Sequence, residues 1–304
     1  MEADVICNAN ADRARWLRER QKGIGGSDAP AILNVPGCWG SQQQIYLDKT
    51  EGEISDEPMP PYVEFGHLCE RFVLDKIAAE VCGTAQLDGN LYRSRERPWQ
   101  LCTLDGLIRE GSQVTPTEVK STAYEEKYAG QVPDDVYAQV QHQIATLGVP
   151  AIYVGVVYRV SMNWNWKLIE RSDEFIGDVL IPQEEEFWRL VTERDPVGLT
   201  VTASESCTKA LAKLNGYNDE LPPRELGAEA DDWADEIVAL REFIKEKTEE
   251  MDLLKNKLRA KIGDRSMGVM PSNRYFRYKE QHRKSFTVKA NTTRPLLGPY
   301  GKEV

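Results

Sequence analysis

Three residues have types and spacing that suit a chemical role: Asp105, Glu118 and Lys120. Twelve residues separate Asp105 from Glu118, and Lys120 follows two positions later. The stretch TPTEVKS (115–121) predicts a β-strand, in which alternate side chains share a face, so Glu118 and Lys120 point into the same space. Hard divalent cations such as Mg²⁺ prefer carboxylate oxygens, backbone carbonyls and water. The spacing therefore indicates a metal site formed by the two carboxylates and the carbonyl of Val119.

A lysine beside such a metal suits phosphodiester cleavage. Its ammonium can orient or deprotonate the attacking water and stabilise the charge that develops on phosphorus. Asp105 precedes Gly106, which lets the backbone turn, so a hairpin would bring Asp105 beside Glu118. The pattern alone is common by chance, and each of these residues could also lie on a solvated face. A further acid, Glu70, is predicted on a preceding helix, from which it could bind the metal directly or through water.

The elements that must position these residues follow from the hydrophobic pattern. Helices are predicted over 64–83, 134–148 and 172–194, and strands near 90–109, 114–120, 151–160 and 164–170. Alternating short β-rich and helical segments are typical of an α/β or α+β fold with a central mixed sheet flanked by helices. We assign residues 1–204 to this core.

The remaining residues predict an extension in two parts. Residues 205–262 are helical, with an apolar stripe that more often packs on its own domain or a neighbouring helix than forms a long coiled coil. Residues 263–304 carry a strand-like segment at 274–289, which predicts a basic hairpin before a tail with Pro and Gly. The hairpin's basic residues could form a solvated face or a DNA track, and both interpretations stay open. They are Arg274, Arg277, Lys279, Arg283 and Lys284.

The charge of the chain is distributed unevenly. The net charge is −11, which by itself argues against a nucleic-acid partner. Residues 241–304, however, carry 16 Lys and Arg against 8 Asp and Glu, which leaves 22 and 41 for residues 1–240. A local basic surface can meet DNA while acidic surface elsewhere keeps a protein in solution, so net charge excludes neither class.

Cysteines and apolar runs exclude several other classes. The six cysteines are scattered without a C-x-x-C pair, so we expect neither a zinc knuckle nor a disulfide framework nor an iron–sulfur cluster. The longest apolar runs, such as residues 151–158, are far shorter than the roughly 20 residues that span a bilayer. We therefore expect a cytoplasmic protein with no membrane partner.

Five segments, taken in order and spacing, resemble the phage YqaJ-type recombinases. That family is related to the alkaline exonuclease of phage lambda and belongs to the PD-(D/E)XK nuclease superfamily. The resemblance covers about residues 13–195, and Leu104 stands where the superfamily name has Pro. The segments are GIGGSDAPAIL (23–33), EFGHLCE (64–70), TLDGLI (103–108), TEVKS (117–121) and YAQVQHQIATLG (137–148).

The resemblance implies a role for each matching residue. Asp105, Glu118 and the Val119 carbonyl would hold two Mg²⁺ or Mn²⁺ ions, with Glu70 near them and Lys120 as the catalytic lysine. Gln139 and Gln141 match a Q-x-Q helix in which one glutamine positions the lysine. They lie about 200° apart on a helix, so only one can face the site; we favour Gln139 there and leave Gln141 as a candidate DNA contact.

A separate pocket for the DNA end is implied at Arg20 and Ser27, which match positions that bind a 5′-terminal phosphate. The residues support this independently, because Ser27 or Asp28 can cap a helix and Pro30 suits its first turn. Free N–H groups at such a helix start attract phosphate. A tight turn at the preceding glycines is the competing interpretation.

The function implied is 5′-to-3′ digestion of one strand of linear duplex DNA, which leaves a 3′ overhang for a single-strand annealing protein. The family also implies a trimeric ring around the DNA. Two alternatives remain: a structure-specific or Cas4-like endonuclease of the same superfamily, and an inactive protein that binds DNA ends.

Overall fold

The computed structural model describes residues 2–51, 61–282, 296 and 298. The chain forms two units, Met1–Tyr217 and Asn218–Val304. The helices of the first unit are α1 (Arg13–Arg20), α2 (Ala29–Ile32), α3 (Gln42–Thr50), α4 (Pro61–Glu80), α5 (Asp134–Leu147), α6 (Ile181–Glu193) and α7 (Glu205–Asn215). A 3₁₀ turn at Glu125–Tyr128 precedes α5, and a π-helical segment at Phe175–Leu180 leads into α6.

Two sheets are built from the strands of this unit. The strands are β1 (Ala3–Asn8), β2 (Ile24–Gly25), β3 (Thr84–Leu87), β4 (Asn90–Ser94), β5 (Gln100–Thr103), β6 (Gly106–Glu110), β7 (Gln113–Thr122), β8 (Ala151–Tyr158) and β9 (Trp164–Glu170). The larger sheet has the order β3-β6-β7-β8-β9, in which β7 and β8 pair in parallel and the other pairs are antiparallel. The smaller sheet has the order β1-β4-β5-β2. The predicted mixed α/β fold with flanking helices is confirmed.

Strand β8 shows how the larger sheet is buried on both faces. Its residues alternate sides: Val154 packs in one core cluster with Val140 of α5, and Val157 packs in another with Val73 of α4. Gly155 lies on the α4 side, where an added Cβ would overlap Val73. The near-continuous apolar run of β8 is what a strand covered by helices on both sides requires.

Helix α7 belongs to the first unit, although the sequence analysis placed residues 205–262 together in the extension. It packs against α3, where the hydroxyl groups of Ser206 and Ser41 lie 3.3 Å apart. Ser204 caps α7 by accepting a hydrogen bond from the Cys207 N–H.

The second unit contains α8 (Glu229–Ile262), β10 (Met267–Val269) and β11 (Tyr275–Arg277). The two strands pair antiparallel, so a hairpin is present, but it begins before the predicted 274–289 segment. Residues 283–289 of that segment lie outside the described residues. Among the helices that the structure describes, none has the length and apolar character needed to cross a membrane.

Candidate active site

Register in the larger sheet sets the direction of Glu118 and Lys120. Glu118 pairs with Val154 and Lys120 with Val156, both of which face α5. Partners in a sheet share a face, so Glu118 and Lys120 also face α5, whereas Val119 packs with the α4 cluster. The predicted alternation of this strand is therefore observed.

Asp105 reaches the same place from the turn between β5 and β6. Its Oδ2 accepts a 2.6 Å hydrogen bond from the Val119 N–H, which fixes the carboxylate beside β7. The following residue, Gly106, pairs with Thr117, and an added Cβ there would lie 2.5 Å from Leu74 Cδ1. The turn thus needs glycine for close packing against α4.

The Glu118 carboxylate is 5% exposed and receives three hydrogen bonds. Its Oε1 accepts from Lys120 Nζ at 2.6 Å and from Gln139 Nε2 at 2.7 Å, and its Oε2 accepts from Gln143 Nε2 at 2.6 Å. Gln139 Oε1 also accepts from Lys120 Nζ at 2.8 Å, so the predicted contact between Gln139 and the lysine is present. The four side chains form one hydrogen-bonded cluster on the α5 face of the sheet.

Gln143 is the member of this cluster that sequence reasoning missed. It lies four residues after Gln139, one helical turn further along α5 on the same face, and it is 1% exposed. That spacing was the available signal. Its Oε1 has no hydrogen-bond partner among the described residues.

The site concentrates negative charge in a buried place. Burial raises the pKa of Asp105 well above its usual range, and the neighbouring Glu118 and Glu70 carboxylates raise it further. Burial by itself would lower the pKa of Lys120, but the Glu118 carboxylate and Asp105 outweigh it, and the pKa is raised. The lysine is thus held as a cation among acids.

Glu70 lies on α4, close enough to the site for its charge to affect Asp105. Its Oε1 is 2.6 Å from His67 Nδ1, and burial, together with Glu118, raises its pKa although His67 lowers it. Within the described part of the chain, no three Asp, Glu, His or Cys side chains are grouped closely enough to hold a metal ion. The role of Glu70 at the metal, direct or through water, stays a prediction.

Asp105 and Glu118 by themselves fit a magnesium site. Mg²⁺ in enzymes is usually held by one or two carboxylates, keeps several waters and takes further oxygens from substrate phosphates. Burial chiefly raises the pKa of Asp105, and the neighbouring Glu118 adds a repulsion that a bound cation would relieve. The backbone carbonyl of Val119, between Glu118 and Lys120, stays a predicted third ligand.

The second predicted site surrounds Arg20. Arg20 Nη2 donates to Ser27 Oγ and, at 3.2 Å, to Asp28 Oδ1, while Lys49 Nζ lies 2.7 Å from Asp28 Oδ2. Burial tends to raise the pKa of Asp28, but Lys49 and Arg20 outweigh it and hold that pKa well below its usual range. Asp48 lines the same cleft, so two carboxylates balance these two cations, and the part-exposed Arg20 guanidinium is a cationic group that a phosphate can reach beside Ser27.

The observed start of helix α2 differs from the capped helix start that was predicted at Ser27 and Asp28. Helix α2 has a single turn, and Asp28 at its N-cap position makes no side-chain capping hydrogen bond. Its carboxylate instead accepts from the Gly25 N–H at 2.9 Å and pairs with Lys49. The capping prediction is wrong because these partners take the carboxylate oxygens.

The two sites meet at Gly26. A Cβ added to Gly26 would lie 3.1 Å from Gln143 Cγ and 3.4 Å from Gln139 Cγ. The loop that carries Ser27 therefore packs directly on the two glutamines that hold Glu118.

Other predicted contacts have different outcomes. Gln141 is wrong as a DNA contact, because it is fully buried: its Nε2 donates to the Glu170 carbonyl and its Oε1 accepts from the Ser172 N–H. Arg274, Arg277 and Lys279 are exposed, and their contact with DNA stays a prediction. Arg283 and Lys284 lie outside the described residues.

Comparison with known proteins shows similarity in sequence to a bacterial protein. The chain is 26% identical over 275 residues to the uncharacterized protein YqaJ of Bacillus subtilis (strain 168), across 88% of this chain and 84% of that protein.

Two solved structures are similar at lower identity. An alkaline exonuclease of Laribacter hongkongensis is 16% identical, with a TM-score of 0.47 over 66% of this chain and 98% of that one. A phage related exonuclease of Haemophilus somnus 129PT is 10% identical, with a TM-score of 0.41 over 57% of this chain and 96% of that one.

The family match falls on the part of the chain that carries both sites. Residues 15–150 match the YqaJ-like viral recombinase domain, and this range contains Arg20, Ser27, Asp105, Glu118 and Lys120. Over these residues the chain is therefore similar to the YqaJ-like viral recombinase domain.

Proposed function

We propose that the protein is a metal-dependent deoxyribonuclease that digests one strand of linear duplex DNA from its 5′ end. The observation that carries the proposal is the contact of Lys120 with Glu118, 2.6 Å apart, beside Asp105 on one face of the sheet. Acids that can hold a divalent cation, joined to a part-buried lysine, suit phosphodiester hydrolysis.

Each residue has a role in this account. Asp105, Glu118 and the Val119 carbonyl would hold Mg²⁺ or Mn²⁺, and a second ion would need ligands from the phosphates of the DNA. The bound cation would neutralise charge on the scissile phosphate and favour ionisation of the attacking water. Lys120 donates hydrogen bonds to that water or to a phosphate oxygen, and Gln139 orients the lysine through its 2.8 Å hydrogen bond.

The end of the DNA would be held in the cleft beside Arg20. This cleft has a volume of about 740 Å³, and Arg20, Ser27 and the 92% exposed Trp39 line it. Arg20 is part-exposed, so its remaining N–H donors can bind a 5′-phosphate, which would share the guanidinium with Asp28. Because Gly26 packs on Gln139 and Gln143, the terminal nucleotide would lie close to the metal ligands.

The product would be duplex DNA with a 3′ overhang. A recombinase domain suits this chemistry, because an annealing protein can pair the exposed strand with a complementary one. The partners in this account are duplex DNA ends and a single-strand annealing protein, in the cytoplasm of a bacterial host.

Two alternatives make different use of the same residues. An inactive end-binding protein would have no need for Lys120, Glu118, Gln139 and Gln143 to form one hydrogen-bonded cluster, and that cluster favours an enzyme. An endonuclease would have no need for an end pocket, and the part-exposed Arg20 beside Ser27 in the cleft favours an exonuclease.

Linear duplexes labelled at either end, with and without a 5′-phosphate, test the proposal when digested with Mg²⁺. We expect early loss of the 5′ label, a preference for phosphorylated ends and no cleavage of closed circular DNA. Cutting of the circle would favour an endonuclease, and binding without cleavage would favour the inactive protein.

A further inference from the structure

Trp16 packs against the Arg20 side chain on α1. The two residues are four positions apart, so their side chains lie on the same face of the helix. Arg20 Cζ lies over the Trp16 ring, 5.2 Å from the ring centroid, a distance at which a guanidinium is attracted to an aromatic face. The indole thus supports the cation that lines the cleft beside Ser27.

The Trp16 ring is itself held in place by an apolar and a polar contact. It packs against the core cluster of Cys7, Leu91 and Leu101. Its Nε1 donates a 3.0 Å hydrogen bond to Thr103 Oγ1. A tryptophan fixed in this way gives the guanidinium a rigid surface, which a flexible aliphatic side chain would not provide.

Other contacts define the orientation of the guanidinium. Arg20 Nη2 donates to Ser27 Oγ and Asp28 Oδ1. A Cβ added to Gly25 would lie 3.3 Å from Arg20 Nε, so the backbone of the loop lies close to that atom. Among the residues that the structure describes, none accepts a hydrogen bond from Nη1. Stacked on Trp16 and bonded through Nη2, the guanidinium keeps Nη1 as a donor for a phosphate.

Thr103 connects this stack with the candidate metal site. It is the last residue of β5, two positions before Asp105. Its hydroxyl accepts from Trp16, and its carbonyl accepts at 3.4 Å from Gln143 Nε2, which also donates to Glu118. The Arg20 stack and the two acids are therefore tied to the same strand end.

A second cation over the ring does not account for this arrangement. Arg13 Cζ lies 5.9 Å from the Trp16 centroid, but Arg13 is exposed and has no ion pair within the described part of the chain. Arg20, in contrast, is bonded to Ser27 and Asp28 in the cleft. The ring therefore constrains Arg20 more than Arg13.

We propose that Trp16 is a positioning residue for the 5′-phosphate of the DNA. It holds the plane of the Arg20 guanidinium, so that the phosphate is bound at a fixed distance from Asp105 and Glu118. The inference rests on the proposed function, because it requires that Arg20 receives a DNA end. Trp16 acts through Arg20 and needs no contact of its own with the DNA.

Binding of a hairpin duplex with one blunt end, with and without a 5′-phosphate, tests this without requiring cleavage. Fluorescence anisotropy is recorded on the full chain without divalent metal, and the readout is the ratio of the two dissociation constants. This ratio does not depend on the fraction of the protein that is folded. Wild type should prefer the phosphorylated end, and Trp16→Leu should reduce the preference roughly three- to tenfold. Affinity for the hydroxyl end should stay unchanged.

Three variants serve as controls. Trp16→Phe keeps an aromatic face and loses the N–H, and Thr103→Val removes the acceptor of that N–H, so both should retain most of the preference. Trp188 lies on α6 and packs against a different core cluster. Trp188→Leu makes the same change of side chain there and should lower stability without altering the ratio.

The possible outcomes separate this inference from the nuclease proposal. An unchanged ratio in Trp16→Leu, equal weakening at both ends, or the same reduction in Trp188→Leu would overturn the role of Trp16. Equal binding of the two ends by wild type would also overturn it. If wild type prefers the phosphorylated end, Trp16→Leu loses that preference and wild type cleaves nothing with Mg²⁺, the nuclease proposal fails and the role of Trp16 stands.

Discussion

The Gln143 amide donates a 2.6 Å hydrogen bond to Glu118 Oε2, the carboxylate oxygen that neither Lys120 nor Gln139 contacts. Gln143 is therefore placed to hold the rotamer of a proposed metal ligand while Lys120 and Gln139 bind its other oxygen. Since Gly26 also packs on Gln143, one side chain links the end pocket with the metal site.

The first prediction concerns this hydrogen bond. Gln143→Met keeps the volume of the side chain but removes the donor, so Glu118 loses its orientation. We expect the Mg²⁺ concentration for half-maximal activity to rise about 10- to 100-fold, and Mn²⁺ binding measured by electron paramagnetic resonance to weaken in parallel.

Gln141→Met is the control for that substitution. Gln141 is on the same helix and is also buried, but it bonds the backbone at Glu170 and Ser172. Its replacement should lower stability by ~1–3 kcal/mol without changing the metal requirement. An equal Mg²⁺ requirement in both variants would show that Gln143 only supports the fold.

The second prediction concerns the packing of the Ser27 loop on α5. Gly26→Ala places a Cβ 3.1 Å from Gln143 Cγ, so the loop or the glutamine must shift by a few tenths of an ångström. We expect turnover to fall on the order of tenfold, below the ~100-fold that a full ångström can cost, with little change in DNA binding. Gly130→Ala meets nothing within 4 Å and should match wild type. Equal turnover in Gly26→Ala and wild type would mean that the loop position does not affect cleavage.

A third prediction concerns the 5′-phosphate. Arg20→Ala removes a charge-assisted contact of ~1.5–3 kcal/mol, so initial rates on phosphorylated ends should fall roughly ten- to a hundredfold, with hydroxyl ends almost unaffected. Arg18→Ala, which removes an exposed cation from the same helix, should leave the preference intact. If Arg20→Ala slows both ends equally, Arg20 supports the Asp28 cluster or general DNA binding.

The fourth prediction concerns the pH dependence of stability. His142 is fully buried, with Nδ1 2.6 Å from Glu184 Oε1 and Nε2 2.9 Å from the Leu101 carbonyl, so both ring nitrogens face acceptors. Burial lowers the pKa of His142, but Glu184 and the Leu101 carbonyl outweigh it and raise the pKa. A raised pKa in the folded state stabilises the protein fully below the unfolded value of about 6.5, and this stability is lost as pH rises through the folded value.

Denaturant unfolding measured at increasing pH tests this. The free energy of unfolding of wild type should decrease above about pH 6.5, and His142→Gln should be less stable but without that decrease. The same slope in both proteins would assign the pH dependence to another group.

Local alternation and the turn glycine were sufficient to predict the centre of the site. The period of two in β7 placed Glu118 and Lys120 on one face, and the Asp105–Gly106 turn brought the second carboxylate beside them. The strand partners of β7 and the helix that covers it were not needed for that step.

Contacts between distant segments could not be predicted from the same patterns. Lys49 pairs with Asp28 across 21 positions, because α3 packs beside the loop before α2, and this pairing overrode the helix-cap interpretation. Gln141 was assigned to DNA because the buried faces of α5 were unknown; its amide bonds the backbone of Glu170 and Ser172. Gln143 was missed although its spacing of four residues from Gln139 places both side chains on one face of α5.

The most direct test of the central claim is cleavage of a linear 5′-phosphorylated duplex by wild type and Glu118→Gln as Mg²⁺ is varied. Glu118→Gln preserves the shape of the side chain and removes the charge that the cation requires. The account predicts Mg²⁺-dependent release of nucleotides by wild type, and loss of cleavage in Glu118→Gln with native circular dichroism and retained DNA binding. Full Mg²⁺-dependent cleavage by Glu118→Gln would contradict it.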